Sequence, residues 1–186
     1  SSSGQVWSSA TWYIGQAGRA TGNFAKVIGP GSYWNMGGKL LGIGTNGNSG
    51  NSLTIDQGGV MTNVGLLYVG GSNSVNVLSN GTLAVNSLSL QPNVQIGVDM
   101  LTPGTFAVQG GAASLGSGIV NPTHLPRTGR ETITILTSAA LPTGNLSVGP
   151  LPPGYTGVIT TNSTTDPKQV NLLIIGPASS TVLMIK

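Results

Sequence analysis

Four carboxylates and one imidazole are the side chains of this chain that could carry acid–base chemistry. The acids are Asp56, Asp99, Glu131 and Asp166. A glycoside hydrolase needs two carboxyl groups about 5 to 9.5 Å apart. Asp56 follows Ile55, and the matching positions in the two similar segments described below hold Ile28 and Leu78. We therefore expect no acid pair at this position.

The other reactive side chains do not form a catalytic set either. A lyase needs a base together with a cation or a Ca²⁺ cluster, and Arg19, Lys26 and Lys39 are far apart and have no acidic neighbours. His124 lies in a Pro-rich stretch, where we expect a surface histidine, and one histidine without a positioned acid makes a catalytic triad improbable. Cysteine is absent, which removes thiol nucleophiles and zinc clusters. The sequence predicts a protein that is not an enzyme and needs no cofactor or metal.

The composition argues against two classes of partner. Only 6% of the 186 residues are charged, against roughly 25% in an average domain. The seven Lys and Arg are scattered, with Arg127 and Arg130 as the closest pair, so no basic stripe could follow a nucleic acid backbone. The longest apolar run, 172–175, is far shorter than the roughly 18 residues of a membrane-spanning helix. We expect neither nucleic acid binding nor membrane insertion.

Three similar segments indicate an internal repeat. They cover 23–35, 51–63 and 73–85, and their starts are 28 and 22 residues apart. A second shared element, apolar and ending in Gly, occupies 12–15, 41–44 and 67–70. The difference in period falls in the polar stretch that follows this element. Strands of constant length with one variable loop are typical of stacked coils, with three short strands in each coil.

Within each strand, apolar and polar residues alternate with a period of two. Stacking in register would place the apolar residues of successive coils above one another, with Lys26, Thr54 and Asn76 facing solvent. The predicted inward columns are Ala25, Leu53 and Val75; Val27, Ile55 and Val77; and Ile14, Ile43 and Val69. This pattern predicts an all-β fold, a right-handed parallel β-helix.

Glycine and asparagine recur at the predicted corners. Gly31, Gly59 and Gly81 align at one turn position, preceded by Pro30, Gly58 and Asn80, which we expect to supply the positive or preset φ of a sharp corner. Asn35 and Asn63 also align. Their amides are expected either to form a ladder from coil to coil or to serve only as turn formers, and the sequence favours neither.

The repeat fades after Leu90, which suggests three regions. Residues 1–115 are predicted to form the solenoid coils, and 116–130 to form a Gly/Pro-rich linker or loop. Residues 131–186 contain five candidate strands separated by Pro-containing turns, as expected for an antiparallel β element that caps the coils or takes part in assembly.

Residues 53–70, LTIDQGGVMTNVGLLYVG, resemble the repeat of autotransporter-passenger-like proteins. Residues 134–145 and 151–172 are similar to the ending common in those bacterial surface proteins. The resemblance implies a right-handed parallel β-helix located outside or on the surface of a bacterial cell. It does not imply an activity.

Aromatic residues are concentrated near the start of the chain. Trp12 and Tyr33 are expected to fill the first coil, with Trp7 and Trp34 covering its open end. Tyr13 and Tyr68 are the aromatics that the column pattern places outward on one face, where they could stack on sugar rings. The loops 16–22 and 45–50 would complete such a glycan-binding surface.

These patterns predict an extracellular structural protein. A solenoid of about four coils has two large ends, and an open parallel edge can template another chain. We expect homo-oligomers or homopolymers that associate head to tail into a fibre, with Val182, Leu183, Met184 and Ile185 as a candidate assembly strand. The alternative is an adhesin or a module that binds cell-surface glycans.

Overall fold

The computed structural model describes residues 4–177 as a parallel β-solenoid of about six turns, extended by antiparallel strands. The strands are β1 Gln5–Trp7, β2 Trp12–Ile14, β3 Phe24–Ile28, β4 Tyr33–Ile43, β5 Ser52–Asp56, β6 Val60–Val69, β7 Ser74–Val77, β8 Thr82–Leu90, β9 Gln95–Asp99, β10 Thr105–Val108, β11 Ala113–Thr123, β12 Arg130–Ser138, β13 Thr143–Val148, β14 Thr156–Asn162 and β15 Lys168–Ile175. No helix occurs in this part of the chain, and hence none that is long and apolar enough to cross a membrane.

The solenoid has three faces. The first stacks β3, β5, β7, β9 and the end of β11. The second stacks β1, the first half of β4, β6 and β8, then β10 and β12. The third stacks β2, the second halves of β4, β6 and β8, then the start of β11. Each long strand thus supplies two of the three β segments of a coil, joined at an irregularity in the register.

Apolar columns fill the space between the three faces. Leu53 pairs with Ala25 and Val75, and Ile55 pairs with Val27 and Val77. On the third face, Ile43 pairs with Ile14 and Val69. All these side chains are buried except Ala25, which is half-buried at the first coil. The columns lie one above another because the strands are parallel and in register, so residues of the same parity point to the same side.

One predicted equivalence at the corners is wrong. Tyr33 pairs with Val60, and Val60 pairs with Thr82, so Ser32, not Gly31, matches Gly59 and Gly81. The first corner contains one extra residue. Gly58 and Asn80 have the expected positive φ, 78° and 60°, and Gly31 has a φ of 80°, whereas φ is not positive at Gly59 and Gly81.

Gly59 and Gly81 are required for a different reason, which is close approach of the backbone. A Cβ at Gly81 would lie 2.6 Å from the carbonyl oxygen of Ile55 in the preceding coil, and a Cβ at Gly59 would collide with that of Val27. Glycine therefore lets the corners of successive coils stack without a gap.

The segment 116–130 differs from the predicted linker. Most of it continues the solenoid, because β11 runs to Thr123 and pairs with β8, β9 and β13. Pro122 lies opposite Val98 within this ladder. Only 124–129 are irregular before β12 begins.

The last described strands form the antiparallel part of the fold. β15 pairs antiparallel with β12 on one side and with β14 on the other. Val170, Leu172 and Ile174 of β15 are buried and join the core of the solenoid. β15 thereby covers the edge of β12 that parallel stacking leaves free. The candidate assembly strand Val182, Leu183, Met184 and Ile185 lies outside the described residues.

Candidate functional site

Among the described residues, the first coil has no further coil stacked on its outer side. Within residues 4–177, β1 and β2 pair only with β4, and β3 pairs only with β5. The other edges of these three strands have backbone N–H and C=O groups without a strand partner. Within the part of the chain that the structure describes, parallel stacking continues from these strands in one direction only, and we call β1, β2 and β3 the open coil.

Aromatic side chains surround the open coil. Trp7 is 69% exposed, and Phe24 is 67% exposed beneath the Lys26 Nζ, which lies 5.2 Å from the ring centroid. The arrangement of the two central tryptophans differs from the prediction. Trp34 is buried and donates through Nε1 to Ser8 Oγ at 2.9 Å, while Trp12 is 46% exposed and packs edge-on against it.

A cavity of about 420 Å³ opens at this end, lined among others by Val6, Trp12, Lys26 and Trp34. Most of its lining is apolar side chain. Exposed aromatic and aliphatic groups beside unpaired strand edges are typical of a surface that another β element covers.

Tyr13 and Tyr68 lie on the third face and point away from the core. Tyr13 pairs with Gly42, and Gly42 pairs with Tyr68, so one glycine separates two tyrosines in an outward column. A cavity of about 330 Å³ lies between them and is completed by Gln16, Leu40, Thr45 and Asn46. We call this cavity the tyrosine cleft. The loops 16–22 and 45–50 were predicted to border such a surface, and the first residues of each line it.

Asn48 fixes these two loops to each other. Its side chain is buried, and its Nδ2 lies within hydrogen-bond distance of the carbonyl oxygens of Gly15, Gln16, Ala17 and Thr45, at 2.8 to 3.2 Å. One amide thus ties the loop of the second coil to that of the first.

A buried asparagine ladder, which the sequence analysis did not identify, precedes the first face. Asn51 Nδ2 donates to Asn73 Oδ1 at 3.0 Å, and Asn23 Nδ2 donates to Asn51 Oδ1 at 3.0 Å. Asn51 and Asn73 are fully buried. The sequence contains a signal for this ladder, because Asn23, Asn51 and Asn73 begin the three aligned segments. The ladder stops at Val94, which occupies the next coil's position.

The predicted asparagine pair is in contact at the surface. Asn63 Nδ2 donates to Asn35 Oδ1 at 3.1 Å, in an exposed hydrogen bond between coils. Asn63 also has a positive φ of 55°, a conformation that favours asparagine in turns. The hydrogen bond and the turn conformation therefore occur together.

Asp99 and His124, far apart in the sequence, meet at the end of β9. Asp99 pairs with Thr123, and His124, at a positive φ of 50°, turns its Nδ1 to within 3.0 Å of Asp99 Oδ1. Asp99 also accepts hydrogen bonds from Ser79 Oγ at 2.8 Å, from the Leu101 N–H at 2.9 Å and from Thr102. It therefore connects three successive coils.

The surroundings of Asp99 favour its ionised form. Burial alone would raise the pKa, but the hydrogen bonds from Ser79, Leu101, Thr102 and His124 outweigh it and lower the pKa to about 2. The side chain is only 1% exposed. A buried carboxylate held in the ionised state cannot serve as a general acid and is out of reach of a substrate.

The remaining sequence candidates lie apart. Asp56 ends β5 and accepts from the Gln57 N–H at 2.7 Å, Glu131 lies in β12, and Asp166 is in the turn between β14 and β15. Among the residues that the structure describes, no three His, Cys, Asp or Glu side chains are placed to hold a metal ion.

The network around Asp99 predicts loss of stability in acid. Its pKa lies below the unfolded value of 3.8, so its contribution is complete above that pH and is lost as the pH falls towards 2. We expect Asp99→Asn to lower the free energy of unfolding by about 2 kcal/mol at pH 6 and by much less near pH 2, measured by urea unfolding. Asp166→Asn, in an exposed turn, is the control. An equal loss at both pH values would show that the charge of Asp99 is not what stabilises the coils.

Comparison with known proteins returned no matching family model, no matching curated protein and no matching solved structure.

Proposed function

We propose that this chain is a non-enzymatic structural unit that self-associates head to tail through its open coil into a fibre outside the bacterial cell. The observation that carries the proposal is the open coil itself, which combines three unpaired strand edges with exposed Trp7, Trp12 and Phe24.

The edges of the open coil lack the usual protection against pairing. Natural edge strands are guarded by charges, prolines or bulges. β1, β2 and β3 contain one charged residue, Lys26, and no proline. The Lys26 ammonium lies over the Phe24 ring, 5.2 Å from its centroid, so even this charge accompanies an aromatic surface.

The opposite end offers a matching edge. Within the described residues, β14 pairs only with β15, and its seven residues include no charge and no proline. Val158 of β14 is 44% exposed. We therefore take a second copy of this chain as the occupant of the open coil, with its β14 edge extending the sheet. Contacts between unlike ends of identical subunits propagate into filaments.

The carboxylates support the non-enzymatic part of the proposal. Asp56 and Asp99 follow Ile55 and Val98, which lie in one column with Val77 between them, so they are two coils apart, or about 9.6 Å. This spacing approaches that of an inverting hydrolase. Asp99 is only 1% exposed, and its oxygens are occupied by Ser79, Leu101, Thr102 and His124, so it is out of reach of a substrate or an attacking water.

The location outside the cell rests on residues 53–70, which resemble bacterial surface repeats. Fractionation of the native source with an antibody against residues 4–177 tests it. Recovery in the cytoplasm alone would refute the extracellular role.

The assembly is tested by placing a charge on each end. Phe24→Lys adds a cation to the open coil, and Val158→Lys adds one to the β14 edge. We expect wild-type protein to form concentration-dependent oligomers in sedimentation velocity and fibres in electron micrographs. Each variant should raise the concentration needed for assembly by about tenfold or more, because a desolvated, unpaired charge costs at least 1.4 kcal/mol at an interface. Leu101→Lys, at a 72% exposed residue in the turn after β9, is the matched control and should assemble normally.

Mixing the two end variants distinguishes a head-to-tail contact from a symmetric one. Each variant retains one intact end, so a head-to-tail contact predicts that an equimolar mixture gives dimers and no fibres. Wild-type protein that stays monomeric at all concentrations, or a Phe24→Lys variant that assembles like wild type, would refute the proposal.

A further inference from the structure

Two aromatic side chains, Tyr13 and Tyr68, line the tyrosine cleft. Tyr13 and Tyr68 belong to coils that are two steps apart, about 9.6 Å along the stack, and Gly42 occupies the step between them. Any larger residue at Gly42 would meet the Tyr13 ring, because a Cβ there would lie 2.7 Å from Tyr13 Cδ1. The Tyr13 ring thus lies over Gly42, and the cavity of about 330 Å³ is lined by both tyrosines together with Gln16, Leu40, Thr45 and Asn46.

Polar groups at the rim are available to a ligand. Of the described tyrosines, only Tyr33 uses its hydroxyl in a hydrogen bond, so the phenol groups of Tyr13 and Tyr68 have none within residues 4–177. Gln16 is hydrogen-bonded through its backbone carbonyl, which accepts from Asn46 and Asn48, and its side-chain amide remains available.

The cleft is held in shape before any ligand binds. Asn48 joins the loops that carry Gln16 and Thr45, and Tyr13 rests against Gly42 on the backbone of the second coil. Loops that are already ordered lose little conformational entropy on binding. The third coil has only Gly71 and Ser72 in place of a loop, so this side of the cleft is not covered by a comparable loop.

The residues that line the tyrosine cleft indicate the chemical class of its ligand. It contains aromatic faces, amides and hydroxyls, and no charged residue. An aromatic face packs against the C–H face of a sugar ring, while amides and hydroxyls match the hydroxyl groups at its edge. A nucleotide or an acidic sugar would bring an anionic group without a cation to receive it. The volume is at the lower limit of ligand sites, which suits one or two sugar units.

We propose that the tyrosine cleft binds a neutral saccharide ring between Tyr13 and Tyr68. This proposal is independent of head-to-tail assembly, because it concerns the outward side of the third face and not the unpaired strand edges.

The test uses a panel of neutral mono- and disaccharides built from glucose, galactose, mannose and N-acetylglucosamine, with saturation-transfer NMR followed by calorimetric titration. We expect saturable binding of at least one sugar. Tyr68→Ala should weaken it by about tenfold, which corresponds to the loss of one stacking partner. Tyr68→Phe keeps the ring and should weaken it less. Phe24→Ala is the matched control, an exposed aromatic outside the cleft, and should bind like wild type.

Three results would overturn the proposal. The first is that no sugar of the panel binds saturably to wild-type protein. The second is that Tyr68→Ala, folded by circular dichroism, binds as tightly as wild type. The third is that only planar aromatic compounds bind, since the cleft would then recognise flat rings and not saccharides.

Discussion

Leu53→Asp is expected to prevent folding of the solenoid. The Leu53 side chain is fully buried between Ala25 and Val75 of the adjoining coils. An aspartate there would place a charge in the apolar column with no cation beside it, and such a group costs more than the stability of a typical domain can absorb. Ile55→Asp, in the next buried column, is expected to have the same effect. Circular dichroism and the yield of soluble protein measure the outcome.

Two milder substitutions show whether the orientation of β5 is the cause. Leu53→Ala removes apolar contacts without adding a charge and should lower the free energy of unfolding by about 2 to 5 kcal/mol. Thr54→Asp, at the adjacent residue, should be tolerated because the Thr54 side chain faces outward and its hydroxyl contacts only Asn76 Nδ2, at 3.2 Å. If Thr54→Asp were the most harmful of these substitutions, the inward and outward sides of the coil would be inverted.

The solenoid fold was predictable because the information is local and repeated. Alternation with a period of two identifies the inward residues of each strand, and the recurrence of similar segments then places Leu53 above Ala25 without knowledge of the turns. The third face follows in the same way from Ile14, Ile43 and Val69. The structure shows this all-β solenoid architecture.

The corners were less predictable because glycine has two distinct uses. Aligning Gly31 with Gly59 overlooked one extra residue in the first corner, since the flanking strands tolerate either spacing. A sequence shows that glycine is present, but it does not show whether a positive φ or a nearby carbonyl requires it. The segment 116–130 was misjudged for a related reason. Its glycines and prolines indicate a loop, yet strand pairing on both sides of β11 outweighs the local preference.

The candidate sites also differ in how far the sequence alone predicts them. The outward column of Tyr13 and Tyr68 follows from the repeat alone, while the cavity between them depends on the loops and on Asn48. The contact between His124 and Asp99 depends on the register of β11 against β9, which composition does not reveal. The asparagine ladder was overlooked because asparagine is usually found in exposed turns, and only stacking shows that Asn51 and Asn73 are buried.

Asn51→Ala is expected to lower the free energy of unfolding by about 3 kcal/mol. The Asn51 Oδ1 accepts from Asn23, and its Nδ2 donates to the carbonyl oxygens of Ala20 and Ser49 as well as to Asn73. Alanine would remove the partner of the Asn23 N–H and one partner of the carbonyl oxygens of Ala20 and Ser49, whereas Asn73 Oδ1 would keep its hydrogen bond from the backbone N–H of residue 51. Urea unfolding followed by circular dichroism measures the loss.

Asn51→Asp separates the hydrogen bonds from the shape of the side chain. Aspartate has nearly the same size, but its ionised carboxylate cannot donate to Ala20 and Ser49 and would face the Asn73 oxygen, so we expect a loss at pH 7 at least as large as for alanine. Asn76→Ala is the matched control, because this half-buried amide donates only to Thr54 and its removal should cost less than about 1 kcal/mol. If Asn51→Asp were as stable as wild type, the amide donors of the ladder would not stabilise the coils. Stability would then come from the apolar columns and from the backbone hydrogen bonds between coils.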